Sequence, residues 1–246
     1  MHEAHRPRGR QAERWPFTVP AVEHVLDEGL RFTAPVTILV GENGSGKSTL
    51  VEGIAERFGL VATGGKAGTK YASNPTGERT ALGQILHLDT TTTGARMLSG
   101  PRRGRRAFFL RAETAHRLTE RLGGCPGYWE ENTSTMSHGE AYGTVFDAMM
   151  TDPGFYVLDE PESALSFSAC LGLISRMLDQ AARGGQVLCA THSPVLAACP
   201  DADILELGDH GIHRTTWTDL ELVNHWRRFL STPQTYLRHL TPETPH

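Results

Sequence analysis

The sequence predicts a single α/β domain built around a largely parallel central sheet. Short apolar stretches rich in β-branched residues alternate along the chain with segments of helical periodicity. The clearest of these stretches are apolar throughout rather than at every second residue, which is typical of strands that helices cover on both faces. With 246 residues, 39% of them apolar, the chain is long enough for one good-sized domain with a full core.

Two apolar stretches open the predicted fold, at residues 30–33 and 36–40. The second is short, β-branched and bounded by Pro35 and Gly41, and this combination favours a buried strand. A glycine-rich turn follows it. The next segment carries apolar residues at helical spacing and then a terminating glycine: Leu50, Ile54, Phe58 and Gly59.

The middle of the chain gives weaker signals. Residues 61–105 are rich in Gly, Thr, Ser and Arg, and they favour short strands and exposed loops. The stretch AFFLR at residues 107–111 indicates a strand, residues 114–122 a helix and residues 123–135 a loop. A further helix is expected to begin at Ser137 and to run to about residue 150.

The last third is clearer. FYVLD at residues 155–159 predicts a buried strand that ends in an acid, residues 166–182 predict a helix, and residues 186–190 predict a second buried strand. The remaining predicted elements are two short strands and two helices, at residues 204–207, 211–214, 219–229 and 233–240.

Composition limits the classes of partner and compartment. The formal net charge is −4, from 24 basic and 28 acidic residues, so overall electrostatics gives no drive toward nucleic acid or anionic membranes. No apolar run approaches the roughly 20 residues that span a bilayer, no signal-peptide pattern is present, and the four cysteines form no C-x-x-C pair. We therefore expect a cytoplasmic protein with free thiols, one domain over residues 15–240, a disordered tail at 1–14 and a short tail at 241–246.

GENGSGKS at residues 41–48 fits the phosphate-binding pattern G-x-x-x-x-G-K-[ST]. Its glycines let backbone N–H groups converge on phosphates, and the following helix N-terminus adds partial positive charge. Lys47 is expected at the β- and γ-phosphates, Ser48 at Mg²⁺ and Thr49 at the α-phosphate. The strand before and the helix after disfavour an ordinary glycine-rich turn. We assign nucleotide binding to Gly41, Asn43, Gly44, Ser45, Gly46, Lys47, Ser48 and Thr49.

An acid pair follows the predicted strand at residues 155–159. An acid at the carboxyl end of a buried parallel strand lies at the ligand-binding edge of the sheet. Asp159 is therefore a candidate Mg²⁺ ligand, directly or through water, and Glu160 is a candidate general base for an attacking water. Such a pair standing alone could equally cap a helix, and the phosphate-binding motif favours the functional interpretation.

Three further stretches accompany these two motifs: MSHGE at 136–140, PESALS at 161–166 and ATHSP at 190–194. Together and in this order they resemble the ATP-binding-cassette (ABC) ATPases, with Walker A, signature, Walker B, D-loop and switch histidine. The signature is similar to L-S-G-G-Q but has Met, His and Glu in place of Leu, the first Gly and Gln. Ser166 replaces the final acid of the family's D-loop.

The chain also resembles a group of small stand-alone bacterial ATPases of this superfamily. The similarity is carried by WPFTVPAV, FFLRAE, LDEPESALS and the closing TYLRHL, and it covers about residues 15–240. It implies the P-loop ABC architecture: a mostly parallel central sheet, an antiparallel β subdomain and a helical signature subdomain.

The resemblance also implies a composite site. Ser137 and Gly139, at the start of the signature helix, are expected to close over the ATP held by the P-loop of a second copy, in a head-to-tail homodimer. Ser137 could equally be a plain helix N-cap, which has the same local geometry. His192 is expected to contact the γ-phosphate and the water, as a catalytic residue beside Glu160 and Lys47; a polar strand end is its plainer interpretation.

Two of the family's positions stay open on sequence grounds. Glu113 follows the AFFLR strand and is the candidate Q-loop residue, meeting Mg²⁺ through water, with Gln84 as a second candidate. The aromatic side chain that stacks on adenine is expected upstream of Walker A, where Trp15 and Phe17 are available, and either could be a core residue instead.

These residues predict Mg²⁺-dependent ATP hydrolysis by a dimer. The alternative is a nucleotide-gated clamp on a partner, in which slow hydrolysis acts as a release timer. A basic run offers weak support for nucleic acid, although a solvated loop is the plainer interpretation: Arg102, Arg103, Arg105 and Arg106. An unidentified protein partner is possible, and neither a coiled coil nor a guanine-specific N-K-x-D motif is present.

Overall fold

The computed structural model describes residues 14–61, 64–66, 80–98, 106–111 and 138–238. Several predictions fall outside these ranges: the helix at 114–122, the loop at 123–135, and the candidate site residues Glu113 and Ser137. Of the basic run only Arg106 is described, and it is exposed immediately before a strand.

Seven strands are described: β1 (Val36–Gly41), β2 (Gly65–Lys66), β3 (Ala107–Arg111), β4 (Phe155–Asp159), β5 (Gln186–Thr191), β6 (Asp203–Gly208) and β7 (Gly211–Thr215). The described α-helices are α1 (Pro20–Asp27), α2 (Lys47–Arg57), α3 (Ala81–Ile85), α4 (Thr92–Leu98), α5 (His138–Met149), α6 (Phe167–Ala182), α7 (Pro194–Ala197), α8 (Glu221–Ser231) and α9 (Gln234–Leu237). A 3-10 turn covers Pro161–Ala164, between β4 and α6. Among the described helices, none combines the length and the apolar character needed to cross a membrane.

The strands form one sheet in the order β2-β3-β4-β5-β1-β6-β7. The five central strands, β3 to β6 in this order, are mutually parallel, as the sequence predicts. The edge strands β2 and β7 are antiparallel to their neighbours, and within the described residues these edge pairs are the antiparallel part of the fold. Because parallel strands share one carboxyl edge, the ends of β1, β4 and β5 meet there.

Pairing register brings the predicted site residues together at this edge. Val40 of β1 lies opposite Thr191 of β5, and Asp159 of β4 lies opposite Ala190 of β5. On the other side of β4, Asp159 lies opposite Arg111 of β3. The loop after β1, the acids after β4 and the histidine after β5 are therefore neighbours in space.

Helices bury the sheet on both faces, which explains why its strands are apolar throughout. Ile38 and Leu158 face one core cluster, which also contains buried residues of α5, α6 and α7. Leu39 and Val157, one position along each strand, face a second cluster with α1, α2 and α3. Side chains alternate between faces along a strand, so each central strand contributes to both clusters.

One prediction about the less regular segments is incomplete, and a second is wrong. Residues 61–105 were expected to hold short strands and loops, but α3 and α4 lie there beside the two-residue β2. A threonine cap supports α3, because Thr80 Oγ1 accepts a hydrogen bond from the Gly83 amide at 3.1 Å. The apolar stretch at 30–33 is not a strand; Leu30 and Phe32 pack on the core from an irregular segment.

Candidate functional site

The phosphate-binding loop joins the end of β1 at Gly41 to the start of α2 at Lys47. Gly44 and Gly46 have left-handed backbone conformations, with φ of 86° and 96°, which glycine adopts at little cost. A Cβ on Gly46 would lie 2.7 Å from Val19 Cγ1, so the upstream segment packs directly against the loop. These two positions require glycine because of backbone conformation and, at the second, because of space.

The other assigned loop residues occupy different environments. Asn43 is exposed, whereas Ser45 is partly buried and its Oγ has no hydrogen-bond partner among the described residues. Thr49 lies partly buried in the first turn of α2. A buried hydroxyl inside the loop suits contact with an added polar group, since such atoms are rarely left unpaired.

Lys47 is buried, and its ammonium group lies within its own loop. Its Nζ donates hydrogen bonds to the carbonyl oxygens of Gly41 at 2.8 Å and Glu42 at 3.1 Å. Burial lowers the pKa of Lys47, while the nearby carboxylates, Glu160 and Asp159 first among them, oppose that lowering. The lysine is thus a cation held between backbone carbonyls and a cluster of acids.

Ser48 and Asp159 meet across the sheet edge. Ser48 Oγ donates a hydrogen bond to Asp159 Oδ1 at 3.0 Å, although 111 positions separate them in the sequence. Asp159 is buried at the end of β4. A hydroxyl and a carboxylate are hard oxygen donors of the type that Mg²⁺ prefers. The two residues therefore fit the magnesium assignment made from the sequence.

Arg111 is a charged neighbour of this pair that the sequence analysis did not single out. Its Nε lies 3.7 Å from Asp159 Oδ2, and its Nη1 forms an ion pair with Glu52 on α2. Arg111 ends the strand AFFLR, and Asp159 ends the parallel strand FYVLD. The shared position at two strand ends was the available signal, and it was missed because the strands are not adjacent in the sequence.

Glu160 and His192 form a second polar pair beside the loop. His192 Nε2 lies 2.9 Å from Glu160 Oε1. A carboxylate can only accept hydrogen bonds, so with Glu160 ionised the imidazole Nε2–H is the donor. Glu160 has a left-handed backbone, φ 50° and ψ 47°, and its amide donates to the Ala190 carbonyl at 2.9 Å. This unusual backbone directs the chain out of β4 immediately beside the histidine.

Glu162 makes a third contact with the same histidine. Glu162 Oε1 accepts a hydrogen bond from the backbone amide of His192 at 2.5 Å. The sequence analysis quoted this residue within PESALS but gave it no role. Its signal was the second acid in EPES, a position that alone does not distinguish a contact inside the protein from a solvated turn.

The remaining candidate residues differ in their exposure and in the elements that they lie on. Gly139 lies in the first turn of α5, whose later residues pack on α6. Gln84 is exposed on α3, which packs on α2 rather than following a sheet strand. Phe17 is buried in the core, whereas Trp15 is 72% exposed and lies four residues before Val19, which contacts the loop.

A parallel sheet with this loop between β1 and α2, and with an acid pair after β4, defines the P-loop nucleoside triphosphatases. The sequence model of the ABC transporter family matches residues 32–163, just over half of the chain. The chain therefore belongs to the ABC family of P-loop ATPases, as its motifs indicate. A second family model, described as an AAA domain and putative AbiEii toxin of a type IV toxin–antitoxin system, matches residues 141–198.

Several solved structures are similar to this chain at low sequence identity. An ATP-binding cassette of an ABC transporter, in its ADP conformation, is 16% identical with a TM-score of 0.43, over 87% of this chain and 91% of that chain. A part of the CbiONQ ABC transporter complex of Clostridium perfringens is 15% identical with a TM-score of 0.42, over 86% and 90%. The SMC head domain of Thermotoga maritima is 16% identical with a TM-score of 0.42, over 76% and 92%. No curated protein matches the sequence.

Proposed function

We propose that this chain is a Mg²⁺-dependent ATPase that hydrolyses ATP as a head-to-tail homodimer in the cytoplasm. Membership of the ABC family implies ATP binding. The observation that carries the proposal is the meeting of three groups at one sheet edge: the buried Lys47, the Ser48–Asp159 pair and the Glu160–His192 pair. These are the groups that hydrolysis of a phosphoanhydride needs: a cation, a metal site and a base.

The loop supplies phosphate binding. Backbone N–H groups at the start of α2 and the Lys47 ammonium group would exchange their present partners for phosphate oxygens, which are stronger acceptors than carbonyls. Ser48 and Asp159 would hold Mg²⁺, which neutralises phosphate charge when bound. Glu113 stays the candidate for a water-mediated contact to that ion and lies outside the described residues.

Glu160 is the proposed general base. A carboxylate at the sheet edge can take a proton from a water that attacks the γ-phosphate. His192 donates to the same carboxylate and so fixes the direction of its other oxygen. The imidazole is also the group that would contact the γ-phosphate, so loss of that phosphate changes the hydrogen bonding of the base.

Trp15 is the proposed adenine contact. Phe17 is buried among core residues, and stacking on a base would require it to leave the core. Trp15 is exposed, and its short segment leads to Val19, which packs against Gly46 of the loop. An exposed indole at this place offers a flat apolar surface to a base.

Dimerisation is supported by what one chain leaves uncovered. Gly139, in the first turn of α5, and Ser137, which precedes the described residues, are the proposed cap on the phosphate of the second copy, through the helix N-terminus. Beside the 3-10 turn, Phe167 is 68% and Leu171 49% exposed on one face of α6. A second chain across the sheet edge would cover these apolar side chains.

Light scattering of the Glu160→Gln protein tests the proposal. Gln keeps the shape of the side chain but cannot accept the proton, so turnover should fall by a factor of about 10² or more. Mg·ATP should then hold the protein as a dimer, whereas ADP should leave it monomeric. Lys47→Met is the matched control, since it lacks the phosphate contact and should stay monomeric with Mg·ATP.

Two results would contradict separate parts of the proposal. A Glu160→Gln protein that binds Mg·ATP but stays monomeric at saturation excludes the composite site. A native protein that binds Mg·ATP but releases no phosphate above the level of Glu160→Gln excludes hydrolysis at Glu160.

A further inference from the structure

We propose that Glu162 is a positioning residue that couples the 3-10 turn after β4 to the catalytic pair by holding the backbone of His192. The inference rests on the proposed function and adds a residue to that site. Glu162 does not reach the reacting atoms in this scheme. It acts through His192, and through it on the direction of the Glu160 carboxylate.

The contact is a single, well-directed one. Glu162 Oε1 accepts the His192 amide at 2.5 Å, across 30 positions of sequence. Glu162 Oε2 is buried and has no hydrogen-bond partner among the described residues. A carboxylate that has one oxygen buried without a partner and gains a single amide at the other is a poor device for stability. Its value is therefore better explained by where it places the histidine.

His192 is held at two points by one short segment. Glu160 binds its ring at Nε2, and Glu162, two residues later, binds its backbone. The intervening chain is itself closed, because the Ser163 amide donates to the Glu160 carbonyl at 3.1 Å. A displacement of the 3-10 turn that keeps these hydrogen bonds therefore moves the histidine backbone and the base together.

Ser166, two positions after the 3-10 turn ends, has a different task. Ser166, which stands where the ABC resemblance has an acid, caps α6 by accepting the Ala169 amide at 3.3 Å. The turn also contacts α5, the helix that begins at the signature stretch. In the proposed dimer the turn lies beside the subunit boundary. A shift of that boundary would therefore change the position of His192 through its hydrogen bond to Glu162.

Substitutions at Glu162 separate this role from a merely structural one. Glu162→Gln keeps an amide oxygen that can accept from His192, and kcat should stay within about twofold of the native value. Glu162→Ala removes the acceptor, and kcat should fall about tenfold or more. The KM for ATP should change by less than about threefold in both, because the phosphate-binding loop keeps its contacts.

Glu56 provides the matched control. It is a buried carboxylate that, like Glu162, accepts a backbone amide, from Thr80 at 2.8 Å, but it lies near the far end of α2. Glu56→Ala should therefore lower the free energy of unfolding and leave kcat within about twofold of native. Equal losses of kcat in Glu162→Ala and Glu56→Ala would overturn the proposal, since general destabilisation would then explain both.

Amide hydrogen exchange gives a readout that does not depend on catalysis. In the nucleotide-free protein, Glu162→Ala should speed exchange at the His192 amide about tenfold or more, and Glu162→Gln should restore protection. Glu56→Ala should act at the Thr80 amide instead. Unchanged His192 exchange in Glu162→Ala would overturn the inference. Absence of ATPase activity in the native protein would instead overturn the proposed function, and the exchange result would still stand.

Discussion

At the scale of single residues, the site stores backbone strain at Glu160, the proposed catalytic base. Glu160 is one of two non-glycine residues with positive φ among the described residues, the other being Asp201. A left-handed conformation costs a residue with a Cβ roughly 1–2 kcal/mol. The strained conformation is retained because it places the Glu160 carboxylate 2.9 Å from His192.

This strain predicts an unusual pair of mutants. Glu160→Ala and Glu160→Gly should both be inactive, but the glycine variant should be more stable to urea by about 1 kcal/mol, because glycine relieves the left-handed strain. A glycine variant that is the less stable of the two would contradict this account of the backbone. Urea titrations followed by circular dichroism in nucleotide-free buffer measure the stability of both variants.

A second residue-scale prediction concerns adenine. Trp15→Ala should weaken ATP binding about tenfold, since stacking of a base on an aromatic ring is worth about 1–3 kcal/mol. Trp15→Phe should retain most of the affinity. Trp226→Ala, which removes another exposed indole, on α8, is the control and should bind normally. Titration with a fluorescent ATP analogue measures the three dissociation constants, and equal binding by Trp15→Ala and native protein would exclude the stacking role.

At the scale of elements, α6 shows how the departure at Ser166 is accommodated. Ser166 has extended dihedral angles and caps the helix through its hydroxyl. Ser and Asp are comparable N-caps, and Asp also interacts favourably with the helix dipole. Here the position therefore serves the helix whichever of the two residues occupies it.

The prediction for α6 follows from this capping. Ser166→Ala should lower the free energy of unfolding by about 1 kcal/mol, whereas Ser166→Asp should keep or slightly raise it. Urea titrations without nucleotide measure both. If Ala and Asp destabilise the protein equally, the contact of the Ser166 hydroxyl with Ser168 Oγ, 3.1 Å away, contributes more to stability than the helix cap does.

The sequence predicts the elements with strong periodicity. It gives β4 with its observed bounds and α6 within one residue, because a fully apolar strand and a long amphipathic helix have clear patterns. It does not predict α1, although Pro20 and the apolar spacing after it are a recognisable start. It also misses α3 and α4, since helices of five and seven residues give too few turns for periodicity to show.

The candidate site divides in the same way. The loop, the acid pair and His192 are predictable because each lies in a local motif. Arg111 and Glu162 were given no role because their roles come from strand register and from a turn folding back on β5, which link distant parts of the chain. Ser137 and Glu113 stay predictions.

At the scale of the whole molecule, buried tyrosine and cysteine side chains with raised pKa values limit the stability of the protein at alkaline pH. Burial raises the pKa of Tyr156 to about 12 and that of Cys199 to about 11. Tyr156 Oη also donates to the Asp152 carbonyl at 2.6 Å. The folded protein thus keeps protons that the unfolded chain releases at lower pH.

The expected pH dependence has a definite sign. The stability that Tyr156 contributes is complete below about pH 10 and is lost as the pH rises through about 12, because only the unfolded state ionises between these values. Tyr156→Phe should cost about 1 kcal/mol at pH 7 and should flatten the decline between pH 10 and 12. Denaturant titrations at several pH values measure this, and an unchanged slope in the variant would show that Tyr156 does not cause it.

The seating of Lys47 on the carbonyls of its own loop has a consequence for selectivity. The carbonyl oxygens of Gly41 and Glu42 compete with any anion for the Lys47 ammonium group, because the anion must draw that group away from them. Net affinity is the difference between two sets of hydrogen bonds, so a molecule offering only one or two weak acceptors gains nothing by entering. Discrimination in favour of polyphosphates over the many singly charged metabolites of a cell is thus built into the loop before any base is recognised.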